Sequence, residues 1–331
     1  MTDYLQLEQM ASRLLHAENI LLLCHKNPDG DTVGSASALY HALRALGKQA
    51  AILCSDPIPP QYAYMQAGLF EPGLFQPECV VAVDVASIQL FGDGAAPWSQ
   101  RVDLCIDHHS SNAGYAGETL LDDSAAATAE IMYQLIPAMG TEITPVMADC
   151  LYTGLATDTG CFKFSNTTAR SHTIAAGLIG LGARLDDLNS ILFENKSRAR
   201  MEAERLALAS LEYYCEGRCA MICLTKEQIA ESGVAPSELE GLTGMPRMIE
   251  GVDVGITMRQ LPSGSYKISV RTTKGVDACC IARRLGGGGH SQAAGCELEG
   301  NLENTKQAVL AEVEKEFKRM AEAAGGQEGR R

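Results

Sequence analysis

The first apolar run, "NILLLCH" (19–25), has no polar interruption and is too short for a buried helix. It therefore predicts a strand covered on both faces. Three more runs of this kind follow: "QAAILCSD" (49–56), "CVVAVDVAS" (79–87) and "VDLCIDHH" (102–109). Helical periodicity separates or follows them. "TVGSASALYHALRALG" (32–47) predicts a helix stopped by Gly47, and "SAAATAEIMYQLIPAM" (124–139) predicts another. "TPVMADCLYTGLATD" (144–158) predicts a third, with Thr144 as N-cap and Pro145 in the first turn. Strands alternating with helices imply an α/β domain over 1–185, a doubly wound, mainly parallel sheet with helices on both faces.

From about Leu185 the pattern changes to a long charged helix, "DDLNSILFENKSRARMEAERLALASLEYY", read as a connector over 186–214. A smaller α+β domain over 215–324 follows. Its predicted strands lie near 219–224, 252–260 and 265–271, the last two joined by the turn "LPSGS". The helix "VDACCIARRL" runs into "GGGGH", a further helix spans about 302–323, and residues 325–331 are expected to form a disordered tail.

The chain has 331 residues, enough for two cores. Lysine and arginine number 27 against 41 acidic residues, a formal charge of −14, which disfavours a long nucleic-acid track built from phosphate contacts. A small anionic substrate remains compatible if bound metal reverses the local field. The N-terminal "MTDYLQLEQMASRLL" lacks the basic region and apolar core of a signal peptide, and no apolar run reaches membrane-spanning length. The twelve cysteines, mostly in apolar runs, fit a reducing cytoplasm. Cys215, Cys219 and Cys223 stand at i, i+4, i+8, but a helix end followed by a strand would part their sulfurs. No fourth ligand is evident, so packing is the better reading.

The acids and histidines fall at element ends. His25, Asp29 and Asp31 occupy "HKNPDGD" after the first strand, Asp84 ends "VVAVD", and Asp107, His108 and His109 end "CIDHH". Asp158 sits where a helical stretch stops. Loops at the carboxyl ends of parallel strands gather along one sheet edge, where ligands bind. Taken singly, Asp29 and Asp31 are ordinary turn and cap residues, and two adjacent histidines suggest little more than polar side chains facing solvent. Four segments converging on one crevice are harder to explain that way. So many carboxylates repel one another, and divalent cations are the simplest compensation.

With "HKNPDGD", "AVDVAS", "IDHHSSN", "GLATDTGCFKFSNT" and "GGGGHSQAAG" in this order, the chain resembles the DHH phosphoesterase superfamily over nearly its whole length. Within it, the chain is similar to the bifunctional oligoribonuclease and PAP phosphatase group, the NrnA-type nanoRNases. The resemblance implies two metal positions: His25, Asp29 and Asp84 at one, and Asp31, Asp84, His108 and Asp158 at the other, with Asp84 bridging. It implies Asp107 as a supporting catalytic aspartate and His109 as the catalytic histidine facing substrate phosphate. Arg271, Gly287, Gly288, Gly289 and His290 would bind substrate. The implied cofactor is a pair of Mn²⁺ ions, with Mg²⁺ or Co²⁺ as substitutes. Mixed imidazole and carboxylate donors also suit manganese better than magnesium.

The glycines follow a helix and precede no Gly-Lys-Ser/Thr, so they form no P-loop. Four in a row exceed what a helix cap needs, which points to close backbone approach to a ligand. The implied substrates are short RNA oligonucleotides, linear dinucleotides and adenosine 3',5'-bisphosphate (pAp), with no long nucleic acid and no membrane partner. A manganese inorganic pyrophosphatase shares the N-terminal motifs but carries a different C-terminal domain. A nucleotide-sensing module would be expected to have lost metal ligands. Nothing in the sequence separates a monomer from a homodimer.

Overall fold

The computed structural model describes residues 4–71, 75–273 and 275–328. The chain divides into two compact units, Met1–Asn195 and Lys196–Arg331.

The first unit is built on five parallel strands: β1 (Ile20–Leu23), β2 (Ala50–Leu53), β3 (Cys79–Val83), β4 (Leu104–Asp107) and β5 (Glu118–Leu121). Their order is β2-β1-β3-β4-β5. The chain therefore reverses direction across the sheet between β1 and β3, which opens a crevice at their carboxyl ends. Alternate residues serve two cores. Ile20, Leu22, Val81, Val83, Leu104 and Ile106 point toward five helices: α1 (Tyr4–His16), α2 (Gly30–Ala45), α3 (Thr128–Ala138), α4 (Pro145–Asp158) and α5 (Ala169–Gly180). Leu21, Leu23, Val80, Ala82 and Cys105 point the other way, against Phe91, Val102 and Trp98. Both faces are covered, but by unlike layers: α-helices on one, and short 3₁₀ turns at Ile88–Leu90 and Asp93–Ala95 with their loops on the other.

Local chemistry sets the helix starts. Asp29 Oδ1 accepts from the N–H groups of Asp31 and Thr32 at 3.0 and 3.1 Å, so α2 begins two residues earlier than its apolar pattern suggests. Thr144 caps α4 through the Met147 N–H, with Pro145 in the first turn as expected.

The connector is not one long helix. Its residues form α6 (Leu185–Asn189), a π-helical turn over Ser190–Glu194, α7 (Arg198–Ala209) and β6 (Glu212–Tyr214). Ser197 starts α7 as a fresh N-cap, accepting from the Arg200 N–H at 2.9 Å. The buried Ala203 and Ala207 pack α7 against Ile222 and Leu224, which makes it part of the second unit.

That unit carries a mixed six-stranded sheet, ordered β10-β11-β9-β8-β7-β6. The remaining strands are β7 (Cys219–Leu224), β8 (Val254–Gln260), β9 (Tyr266–Thr272), β10 (Gly288–His290) and β11 (Ala293–Leu298). Only β7 and β8 pair in parallel. One face packs on α10 (Ala278–Arg284) and α11 (Leu302–Glu328), the other on α7, α8 (Lys226–Ser232) and α9 (Pro236–Leu239). Part of the expected disordered tail, 325–328, continues α11; 329–331 lie outside the described residues. Cys215 lies in the β6–β7 hairpin rather than at a helix end, while Cys219 and Cys223 are buried on one face of β7. Packing accounts for all three.

Candidate metal centre

The carboxyl ends of β1, β3 and β4 meet the start of α2 and the end of α4. His25 follows β1, and Asp29 and Asp31 sit at the head of α2. Asp84 leaves β3 with φ +61°, a left-handed backbone stabilised by its N–H donating to Ile106 O at 2.9 Å. Few residues other than glycine adopt that conformation, and Asp is among those that do so most readily. His108 and His109 follow β4, and Asp158 closes α4.

These side chains converge. His25 Nε2 lies 3.5 Å from Asp29 Oδ1 and 3.8 Å from Asp84 Oδ2. His108 Nε2 lies 3.6 Å from Asp84 Oδ1 and 3.3 Å from Asp158 Oδ2. Three groups have donor atoms within 4.8 Å of one another: His25–Asp29–Asp84, Asp31–His108–Asp158 and Asp84–His108–His109. Asp84 belongs to two of them. Separations of 3.3–3.8 Å are too long for good hydrogen bonds. They match the edges of a coordination polyhedron whose bonds are about 2.0–2.2 Å.

The histidines are oriented to suit. His25 Nδ1 donates to Lys26 O at 2.8 Å and His108 Nδ1 to Ala125 O at 3.1 Å, which leaves each Nε2 lone pair facing the acids. His108 Nε2 is buried and has no hydrogen-bond partner. An orphaned imidazole nitrogen aimed into a ring of carboxylates is the donor set a divalent cation completes.

Without such a cation the charges strain one another. Burial, and then the neighbouring Asp84 charge, pushes Asp31 up to about 7. Burial together with Asp29 and Asp158 pushes Asp84 up to about 7. Asp158 rises to about 6, again chiefly by burial. Burial alone would lower both histidines, but their carboxylate neighbours outweigh it and lift His25 to about 9 and His108 to about 10.

Asp107 stands behind this cluster and belongs to none of the three groups. It is fully buried, and Oδ1 accepts from the N–H groups of His108 and His109 at 2.8 and 3.2 Å and from His109 Nδ1 at 2.7 Å. Oδ2 accepts from Asn112 Nδ2 at 2.6 Å. The bond to Asp107 raises the His109 pKa, and the His109 ring remains half-exposed.

Residues 19–155 match the DHH family, N-terminal domain, and residues 220–319 match the DHHA1 domain. A Thermus thermophilus protein, "Bifunctional oligoribonuclease and PAP phosphatase NrnA", is 33% identical over 302 residues, covering 91% of this chain and 90% of its own. The chain belongs to the DHH family. In fold, this DHH phosphoesterase is similar to an exopolyphosphatase-related protein from Bacteroides fragilis. The TM-score is 0.88 at 23% identity, with 97% and 99% of the two chains covered. It is also similar to Thermus thermophilus RecJ, solved in complex with Mn²⁺, with a TM-score of 0.56 at 15% identity, covering 95% of this chain and 55% of RecJ. Among the described residues, no helix is long and apolar enough to cross a membrane.

In the DHHA1 domain, β9, β10 and β11 line a pocket of about 410 Å³ whose walls include Arg271, Gly288 and Gly289. Arg271 is half-buried, and its one side-chain hydrogen bond among the described residues runs from Nη1 to Val270 O at 3.1 Å. His290 is exposed and Gly287 immediately precedes β10; neither is among the lining residues. The chain itself explains most of the glycine run. A Cβ on Gly287 would come 2.1 Å from Gly295 O, and Gly289, at φ +142°, would meet Ala293 O at 2.6 Å. Gly288 alone in the run is at ordinary φ and faces open space. Three of the four glycines are therefore accounted for by a left-handed backbone or close packing against β11, rather than by a ligand.

Two contributors escaped the motif reading. Asn112, within "IDHHSSN", reaches back to Asp107, and Thr128 donates from Oγ1 to Asp84 Oδ1 at 2.8 Å. Both act through folded geometry, and only the closeness of Asn112 to the histidine pair gives a sequence signal.

Proposed function

We propose that this DHH phosphoesterase uses two divalent cations, manganese with magnesium or cobalt as substitutes, to hydrolyse RNA of two to five nucleotides and linear dinucleotides such as pApA to mononucleotides. It also removes a phosphate from pAp. The observation that carries this reading is the sharing of Asp84 between two groups of close donor atoms, His25–Asp29–Asp84 and Asp84–His108–His109, with His108 shared in turn with Asp31 and Asp158. The name of the Thermus relative supports the substrate class. When bound, a pair of such cations supplies Lewis acidity to the phosphoryl group and acidifies a water nucleophile.

The remaining work falls to protein groups. His109, tied through Nδ1 to Asp107, whose hydrogen bond raises its pKa, presents its other nitrogen as a donor to a phosphate oxygen when protonated. Asp107 is a positioning residue rather than a catalytic one, since every acceptor bond it makes goes to its own neighbourhood. In the DHHA1 domain, Arg271 offers a planar, charge-assisted grip on a substrate phosphate, and Gly288 leaves its pocket wall open to close approach. Twelve free cysteines fit a reducing, cytoplasmic setting.

The test is release of phosphate and mononucleotide from a panel: pAp, pApA, RNA of two to ten nucleotides, and pyrophosphate. Short RNA and pAp are expected to be turned over, and a preference for pyrophosphate would replace this reading with the pyrophosphatase one.

A further inference from the structure

We infer that Thr128 is the positioning residue for the shared carboxylate: it fixes the orientation of Asp84 and ties it to Asp31, so that the two cation positions form as one unit. This rests on the two-cation reading above. Thr128 opens α3 and is fully buried. Its Oγ1 donates to Asp84 Oδ1 at 2.8 Å, and its N–H donates to Asp31 Oδ2 at 2.6 Å. The next N–H, of Ala129, donates to Asp31 Oδ1 at 2.9 Å. One helix end thus grips two carboxylates that arrive from different segments. The N–H groups of a first helical turn have no acceptor within the helix, and anionic partners are favoured there.

The orientation of Asp84 matters because its two oxygens face different partners. Oδ1 looks toward His108 Nε2 and His109 Nδ1, each at 3.6 Å, while Oδ2 looks toward His25 Nε2 at 3.8 Å. The terminal torsion of an aspartate is intrinsically broad and has no staggered well to hold it. The left-handed backbone also removes the direction that an ordinary strand would impose. Among the described residues, the Thr128 hydroxyl makes the one hydrogen bond to either Asp84 carboxylate oxygen. A carboxylate turned out of this plane would serve one ligand group and abandon the other.

The helix end is itself held from behind. Glu130, fully buried in the first turn of α3, takes the Ser171 hydroxyl at 2.6 Å and pairs with Arg170 Nε at 3.1 Å, both from α5. On the far side α4 leaves no slack: a Cβ on Gly154 would come 2.6 Å from Asp31 Oδ1 and 3.0 Å from the Ala129 Cβ. Thr128 therefore cannot drift away from the carboxylates it holds.

The experiment titrates chelator-treated protein with manganese alone and follows free Mn²⁺ by electron paramagnetic resonance, with circular dichroism to report the fold. Thr128→Val keeps the shape without the hydroxyl, Thr128→Ala removes both, and Thr128→Ser keeps the hydroxyl. Val and Ala are expected to lower manganese affinity about 10- to 100-fold, the usual effect of removing a partner that orients a metal ligand. Ser is expected to bind as wild type does. If the Val variant does not fold, the comparison of Ala with Ser decides. Wild-type affinity in a folded Val or Ala variant overturns the inference, as does a Ser variant as weak as Ala. Because no substrate is present, these outcomes leave the substrate reading intact, whereas wild-type protein that takes up no manganese defeats the two-cation reading itself.

Discussion

Asp107→Asn changes one atom's identity at a position where all the surrounding groups are donors. Oδ1 receives three N–H groups, from the His108 and His109 backbones and from the His109 ring, and Oδ2 receives Asn112 Nδ2. An amide has one acceptor oxygen, so whichever way it turns its NH₂ meets a donor. Asn112 cannot reverse to relieve the clash without giving up the bond from Gly114 N to its Oδ1, at 2.8 Å. In the better orientation the His109 ring trades a charged acceptor for a neutral one, a loss of about 1–2 kcal/mol, or roughly 5- to 30-fold in kcat/KM on a dinucleotide. The larger signature lies in pH. The Asp107 hydrogen bond is the leading cause of the raised His109 pKa, so its loss moves the alkaline limb of the rate profile to lower pH. The assay is kcat/KM from neutral to alkaline pH at saturating manganese, with bound manganese measured in parallel. Bound metal is expected to stay constant, because Asp107 belongs to no ligand group. An alkaline limb that does not move, or a fall in bound manganese that matches the fall in rate, refutes the assignment of Asp107 to His109.

Asp84→Asn keeps a residue type that tolerates the left-handed backbone, so the protein is expected to fold while losing both turnover and manganese; near-wild-type activity with metal present rejects the bridging role. Chelator-treated protein is expected to melt at lower temperature as pH rises. Asp31, Asp84 and Asp158 carry folded pKa values of about 7, 7 and 6 against 3.8, so their contribution is complete below 3.8 and is lost through pH 6–7. His25 and His108 extend the same trend toward pH 9–10, and the gain in melting temperature on adding manganese should grow with pH, because the cation needs the deprotonated ligands. A melting temperature that climbs over that window contradicts the cluster's electrostatics. Gly287→Ala is expected to destabilise the second unit by about 1–3 kcal/mol through its clash with β11. Gly288→Ala, which meets open space, should stay within about 0.5 kcal/mol; denaturant melts of the two variants decide.

The sequence makes the first unit's sheet readable because β1, β3 and β4 are continuous apolar runs, each followed by the polar residues that form the crevice. β5 was hidden: its residues, "ETLL", lie at the sheet edge and are buried only at Leu120, so no apolar run announces them. The break after α6 went unnoticed because the charge pattern continues through it. The Ser197 cap and the Ala203–Ala207 spacing were the available signs that α7 is a separate, core-facing helix. The glycine run suggested ligand contact because β11, the strand it packs against, is itself short and rich in small residues. His25, Asp29, Asp31, Asp84, His108 and Asp158 were visible because each ends or begins an element, and the fold brings all six together. Thr128 was not visible, since a buried threonine at a helix start reads the same whether or not a carboxylate waits above it.

The clustered side chains are also ordered in time. His25 leaves the ribosome early and Asp158 much later, with β2, β3, β4, β5 and α3 made in between. Parallel pairing cannot close until each crossover has been synthesised, so the early acids wait without their partners. A nascent chain that stops short of α4 carries His25 and Asp84 but not Asp158. Asp158 is therefore not made until almost half the chain has been synthesised, and only the docking of α4 on α2 brings it to the cluster.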